Sequence, residues 1–306
     1  MTNFSKILAM LLLACSLVVG SAGQDVATNE PSLRFVFMTD LHARTEWETP
    51  AALARAAAAI NEEGPDLVVV GGDLITDGFQ SSAASVEPRW DAYLAMQKLI
   101  AAPVWAAIGN HDLVAAIPED GTAPAADPRG IFRAKLDVEE TYRSFDTNGY
   151  HFILLDSIRV IGGNLKYEGR IVPEQLEWLK TDLRKVDTNT PIVLVTHMPF
   201  LTTFFQETEG GLANAPKNRI IVNGPETLRL FRNHNLILVL QGHTHINELI
   251  RTRDITYITG GAVCGKWWRG DWFGTQEGFG VVTLRGNKVE WDYQGYGWTA
   301  RRPEGE

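Results

Sequence analysis

The chain has 306 residues, 45% of them hydrophobic and 21% charged. That is the composition of a globular protein with a large core, not of a disordered or fibrous chain. A net charge of −9 with no run of Lys or Arg argues against a nucleic-acid polymer as main partner, although bound metals in such a surface can still draw a small anion.

The N-terminus reads as an export signal. Lys6 precedes an apolar run, 7–19, too short to span a bilayer comfortably, and small residues follow at Gly20, Ser21, Ala22 and Gly23. Residues 1–23 are therefore expected to be a signal peptide and 24–306 a single mature domain, periplasmic or secreted. A second reading makes Leu12-Leu13-Ala14-Cys15 a lipobox, with a lipid anchor at Cys15 holding the protein at the membrane surface; apolar Leu17, Val18 and Val19 just after it argue against that. An uncleaved membrane anchor is the third. With the signal removed, Cys264 would stand alone, so neither an internal disulfide nor a cysteine-based metal site is expected. Its default role is a small buried hydrophobe.

Residues 25–32 are a polar lead-in, and 33–39 predict a strand ending at Asp40. The alanine-rich stretch 50–63 predicts a helix, with Pro50 in its first turn and Gly64-Pro65 as its stop. A buried strand follows at 66–70, and Gly71-Gly72 lets the chain turn so that Asp73 leaves the strand tip. Residues 89–101 predict a helix and 103–108 a strand. From 113 to 148 proline, glycine and small residues predict a long excursion, either over the cleft or as a plain surface insertion. Strand 150–155, helix 173–186 and strand 192–195 come next. A glycine- and asparagine-rich loop at the cleft side, 206–224, leads to helix 225–234 and strand 236–240, and then to β-like alternation at 248–251, 255–258, 280–284 and 289–293. The order predicts an α/β fold. A buried parallel sheet forms first. A second, more antiparallel sheet follows, completed by the aromatic-rich end, 262–306. Ligands in such a design collect at the carboxyl ends of strands.

Five apolar runs end there in donor residues: Asp40-Leu41-His42, Gly72-Asp73, Gly109-Asn110-His111-Asp112, His197 and Gly242-His243-Thr244-His245. Five of the seven histidines fall in these short stretches, which scattered core histidines would not do. Carboxylate, carboxamide and imidazole together suit a pair of divalent cations, and such pairs suit phosphate ester hydrolysis. Asp73 is the candidate bridge. Asp40 and His42, two apart at a strand end, would share a face and one ion. His243 and His245 repeat the spacing, but in a loop that can send them to different ions. Asn110 and His197 complete seven ligands.

As a set, the five blocks resemble the calcineurin-like metallophosphoesterase signature, over about residues 33 to 250. The resemblance implies a four-layer α/β/β/α sandwich, two mixed β-sheets flanked by helices. It implies Asp40, His42, Asp73 and His245 on one metal, and Asp73, Asn110, His197 and His243 on the other. It also implies His111 as a catalytic residue over the substrate phosphate, with Asp112 orienting its ring. No tyrosine follows Asp73 closely, which sets aside a ferric–tyrosinate site of the purple acid phosphatase kind and favours the cyclic-nucleotide-phosphodiesterase-like branch. The two ions would be Mn, Fe or Zn, since ligand type does not separate them.

Arg44 is a candidate for the substrate phosphate. Trp267, Trp268 and Trp272, set among glycines, are candidates to wall the cleft by stacking on a base or sugar. His151 and His234 read as structural. The function expected is an exported, metal-dependent hydrolase of small phosphate mono- or diesters. The alternative is a non-catalytic, metal-braced surface protein that binds sugar through its tryptophans.

Overall fold

The side chains of β1 (Ser32–Met38) alternate between two apolar environments. Leu33, Phe35 and Phe37 face a second sheet, while Val36 and Met38 face helices. A strand buried on both faces belongs to the middle of a layered α/β structure. In this computed structural model, which describes residues 30–301, β1 lies at the centre of a five-stranded sheet. Its order is β13 (Lys288–Gly295), β12 (Gly278–Arg285), β1, β2 (Leu67–Val70), β3 (Val104–Ala106). The three N-terminal strands are parallel and the C-terminal pair antiparallel.

A six-stranded sheet packs against it. Its order is β10 (Glu248–Thr252), β11 (Ile255–Thr259), β9 (Asn235–Gln241), β8 (Pro191–Val195), β5 (Tyr150–Leu154), β4 (Arg143–Thr147). Phe35 of one sheet meets Phe152 of the other edge-to-face, with ring centroids 5.5 Å apart. Helices cover the outer faces. In α1 (Thr49–Glu62), Ala52, Leu53, Ala56, Ala57 and Ile60 form the buried stripe, and the alanines let the helix sit close. The two mixed sheets flanked by helices are the sandwich expected.

Several details depart from expectation. β12 and β13 complete the first sheet, not the second, because β12 takes the backbone groups along β1's open edge, from Ser32↔Arg285 to Phe37↔Gly280. Sequence order does not say which open edge a late strand will fill. The second sheet is parallel through β5, β8, β9 and β11, and antiparallel only at its outer strands. Helix α2 (Ala83–Gln97) starts before Pro88 and carries it inside. An interior proline costs a helix about 3 kcal/mol; here the burial of Val86, Trp90, Tyr93 and Met96 outweighs it. The excursion 113–148 is not a cover for the cleft. Leu113, Val114, Ala115 and Ala116 are buried, Val114 N–H donates to Pro128 O and Ala115 N–H to Gly78 O, and the segment goes on to form α3 (Gly130–Leu136) and β4. A hairpin of β6 (Ile158–Gly162) and β7 (Lys166–Gly169) stands where no element was expected. Helix α4 (Pro173–Leu183) matches its expectation; α5 (Phe204–Glu209) and α6 (Gly224–Arg229) are short. The signal peptide, 1–23, and Cys15 lie outside the described residues. Among the described residues no helix is long and apolar enough to cross a membrane.

His151 on β5 is structural. Its Nδ1 is 2.7 Å from Asp146 Oδ1 and its Nε2 3.0 Å from Asp182 Oδ2. Burial works against the charged ring, but the two carboxylates hold its pKa above the ordinary value. Its stabilising contribution is therefore complete below the unfolded-state value of about 6.5 and is lost as pH rises through the higher folded value. The melting-temperature gap between wild type and His151→Gln should shrink as pH rises above about 6.5. A gap that widens with pH would contradict the charged pairing.

Candidate metal centre

The donor residues sit where strand geometry has stopped. β1 ends at Met38. The backbones of Asp40, His42 and Asp73 then adopt left-handed conformations (φ 53°, 44° and 53°), as do His243 and His245 (φ 74° and 60°). Such values are uncommon for residues with side chains and persist only where the surroundings enforce them. Here the first two loops are zipped together: Asp40 N–H donates to Gly72 O (3.0 Å), His42 N–H to Asp73 O (3.0 Å) and Ala43 N–H to Leu74 O (2.9 Å). Asp40 and His42 thus reach one place through left-handed bends, not through strand alternation.

Glycine is required at two points of close approach. A Cβ on Gly109 would lie 2.1 Å from Asp73 Oδ1, and one on Gly72, itself at φ 96°, would lie 2.8 Å from His197 Nδ1.

All seven expected ligands converge, in two groups. In the first, His245 Nε2 is 3.3 Å from His42 Nε2 and 3.2 Å from Asp40 Oδ1. In the second, His197 Nε2 is 3.1 Å from Asn110 Oδ1 and 3.0 Å from His243 Nδ1. Asp73 Oδ2 faces both, 3.5 Å from His42 Nε2 and 3.2 Å from His197 Nε2. Its other oxygen is taken by the backbone N–H of His111 at 2.8 Å.

The far sides of two of these rings fix their tautomers. His197 Nδ1 donates to Gly71 O (2.9 Å) and His245 Nδ1 to Gly265 O (2.6 Å), while His243 Nε2 lies between Asn218 O (3.0 Å) and the Arg219 guanidinium (2.9 Å). The first two rings therefore turn a bare nitrogen inward, as metal-ligating histidines do. Asp40 Oδ2 accepts from Thr39 Oγ1 (2.7 Å) and His243 N–H (2.9 Å), while its buried Oδ1 has no hydrogen-bond donor. Lone pairs facing one another at these distances need a cation among them. Ligands at roughly 2.1 Å from an ion sit about 3.0 to 3.4 Å from each other, so the donor set fits two divalent ions sharing Asp73.

A proton can take a cation's place, and the electrostatics show the demand for one. Burial opposes charge on His197, yet Asp73 raises its pKa to about 9. Burial likewise opposes charge on His245, and Asp40 raises it well above the ordinary range. His42 and His243 are held neutral by burial and by their neighbouring rings. Asp73 and Asp40 stay ionised in spite of burial because of the histidines around them.

His111 belongs to the site but Asp112 does not orient it. The ring's Nδ1 accepts the backbone N–H of Asp77 at 2.9 Å. Fully buried Asp112 instead accepts from Leu74 N–H (2.8 Å), Ile75 N–H (3.2 Å) and Gly109 N–H (2.8 Å), clipping the second and third loops together. Burial, then the nearby Asp73 charge, push its pKa up to about 8. The catalytic role expected for Asp112 is corrected to one of positioning.

Above the donors lies a cavity of about 170 Å³, lined by His42, Asp73, His111, His243, Thr244, His245, Tyr167, Arg219 and the rings of Phe204, Phe205, Trp267 and Trp272. Trp267 packs on His245 at 4.5 Å. Two expected substrate residues are elsewhere. Arg44 is held by Glu46 (3.0 Å) and lies over Trp47 (3.8 Å). Trp268 is only 2% exposed, with its indole N–H donated to His42 O at 3.0 Å. Arg219 and Tyr167 were missed. Arg219 sits in the loop read as cleft-side, so its charge was the available signal; Tyr167 stands on the unexpected hairpin. A larger cavity, about 1020 Å³, opens at the amino ends of β9 and β11, away from these donors.

Residues 33–247 match the family model for calcineurin-like phosphoesterases. A probable cyclic nucleotide phosphodiesterase of Synechococcus sp. is 28% identical over 78% of this chain and 82% of its own length. Purple acid phosphatase 22 of Arabidopsis thaliana is 28% identical over 71% of this chain, which spans 45% of that relative. A dimetal phosphatase from Danio rerio has the same fold, with a TM-score of 0.63 at 15% identity, over 87% of this chain and 97% of the other.

Asp73→Asn should abolish binding of both ions, and Gly109→Ala should reduce it by driving a methyl onto Asp73. Metal content by mass spectrometry beside circular dichroism tests this: full loading of both variants would contradict the shared-carboxylate geometry.

Proposed function

The chain belongs to the calcineurin-like phosphoesterase family, a phosphoric ester hydrolase with a dinuclear divalent metal centre, and we propose that it is an exported enzyme acting on small phosphate mono- or diesters. The observation that carries this reading is Asp73 Oδ2, which faces two complete donor groups at once. Asp40, His42 and His245 would hold one ion, and Asn110, His197 and His243 the other, with Asp73 shared. The chemistry available from such a pair is Lewis-acid polarisation of a phosphoryl group and activation of water.

The protein's own residues supply the rest. Because Asp77 N–H occupies Nδ1 of His111, the neutral ring carries its proton on Nε2. That proton is placed for transfer to a departing ester oxygen at the cavity floor. Asp112 keeps His111 in register by tying the loop on either side. Arg219, which has no carboxylate partner among the described residues, is 2.9 Å from His243 Nε2 and within 3.5 Å of Tyr167 Oη. It supplies a charge-assisted hydrogen bond for a non-bridging phosphate oxygen. Trp267, Trp272, Phe204 and Phe205 exclude water and receive the organic part of the ester. The small volume of this cavity favours small substrates. Mn, Fe and Zn all suit the donors. Export follows from the signal-like N-terminus and is tested by fractionating cells that express the full chain.

His111→Ala should keep both ions while kcat falls by about 10²- to 10⁴-fold; if metal content collapses instead, the role given to His111 is wrong. A chelator should abolish hydrolysis across a panel of mono- and diesters, with Mn²⁺, Zn²⁺ or Fe²⁺ restoring it. Hydrolysis that survives the chelator would contradict the metal-dependent mechanism, and absent hydrolysis with both ions bound would favour a sugar-binding surface protein. Trp267→Ala should raise KM for a nucleotide diester more than for glycerol phosphate, whereas equal effects would mean packing alone.

A further inference from the structure

A short strap, residues 262–268, follows β11 and lies outside the span matched by the family model. Its contacts fall on one half of the metal centre. Val263 N–H donates to Thr39 O at 3.0 Å and Cys264 N–H to Asp40 O at 3.3 Å. Trp268 Nε1–H donates to His42 O at 3.0 Å. Gly265 O accepts from His245 Nδ1 at 2.6 Å, and Cys264 Sγ lies 3.8 Å from the same nitrogen. Asp40, His42 and His245 are thus each gripped. The outer partners of the other group come from different segments: Gly71 O for His197, and Asn218 O with Arg219 for His243.

We propose that residues 262–268 are the outer shell of a single cation site, that of Asp40, His42 and His245, and set its affinity independently of the other. The inference rests on the dinuclear centre and not on the identity of the substrate. The physical need is plain at His42, whose backbone is left-handed and whose buried Nδ1 has no hydrogen-bond partner. Among the described residues no hydrogen bond fixes the ring's far side, so the hold falls on its backbone carbonyl, which Trp268 grips. At His245 the strap acts on the ring itself, since a carbonyl accepting the distal N–H fixes orientation and raises basicity.

The strap is built to be stiff. Trp268 N–H bonds back to Cys264 O at 2.7 Å, and buried Tyr296 donates its hydroxyl to Val263 O at 2.7 Å. It also carries Trp267, which packs on His245 and lines the cavity. The same segment therefore touches one ion's ligands and the space for the organic end of a substrate. Trp268 is a positioning residue, acting through His42.

The test is a Mn²⁺ titration of the full chain by calorimetry, checked by equilibrium dialysis, comparing wild type with Trp268→Phe, which keeps an aromatic ring and removes the N–H. One of two equivalents should weaken by at least about tenfold, while the other stays within about twofold. Tyr296→Phe should weaken the same equivalent to a lesser degree, and it decides the matter if Trp268→Phe does not fold by circular dichroism. Parallel weakening of both equivalents, as a merely structural role would give, overturns the proposal; so does no change in either. Wild-type protein that binds no cation would instead overturn the dinuclear reading beneath it. Well-bound cations without hydrolysis of any ester would sink only the proposed function.

Discussion

One carboxylate oxygen organises this molecule. Asp73 Oδ2 is approached by imidazoles from two directions, while Oδ1 is tied to the backbone of the third loop. Buried negative charge surrounded by bare nitrogens is unstable unless positive charge is shared among them. The raised pKa values of His197 and His245 express that demand. The loops that meet at Asp73 have to satisfy it together, which is why their backbones accept left-handed bends at five ligand positions.

The two sheets make that strain tolerable. Parallel strands β1, β2, β8 and β9 bring the tips of both sheets to the same end, and the apolar layer between the sheets, with Phe35 against Phe152, fixes their separation. The loops are then cross-tied. Asp112 clips the second to the third, Asp40 accepts from His243 N–H of the fifth, and Gly71 O holds the ring of His197. A close-packed scaffold transmits position to its edges with little slack, so a methyl at Gly109 is felt directly at Asp73. The aromatic wall is laid over this frame by segments far apart in sequence, α5 and the loop after β11.

The chemistry was legible because it is local. Each donor lies within a few residues of a strand end, and each is a residue type with few reasons to be buried there unless it binds something. All seven expected ligands meet. The fold was legible to the same depth, since apolar runs, breakers and alanine stripes place most of the elements. What failed depended on partners distant in sequence. The local pattern starts a helix at residue 89, but burial of Val86 as well as Trp90 and Tyr93 carries it back through Pro88 to Ala83. Trp268 looked like a cleft residue, but His42 O claims its indole N–H. Arg44 looked free, but Glu46 and Trp47 hold it.

The sequence by itself determined which donor groups would converge, that they would emerge at strand tips, and that the scaffold would be layered α/β. These follow from side-chain chemistry and from periodicity, which act over a few residues. The tertiary structure alone decided that β12 and β13 close the first sheet, that Asp112 braces loops while Asp77 orients His111, that Arg219 and Tyr167 join the cavity, and that residues 262–268 grip one half of the centre. Each of these is a contact between segments tens to hundreds of residues apart. Such contacts are chosen by which open edge, carbonyl or cavity wall is available once the core has packed, and no local pattern encodes that.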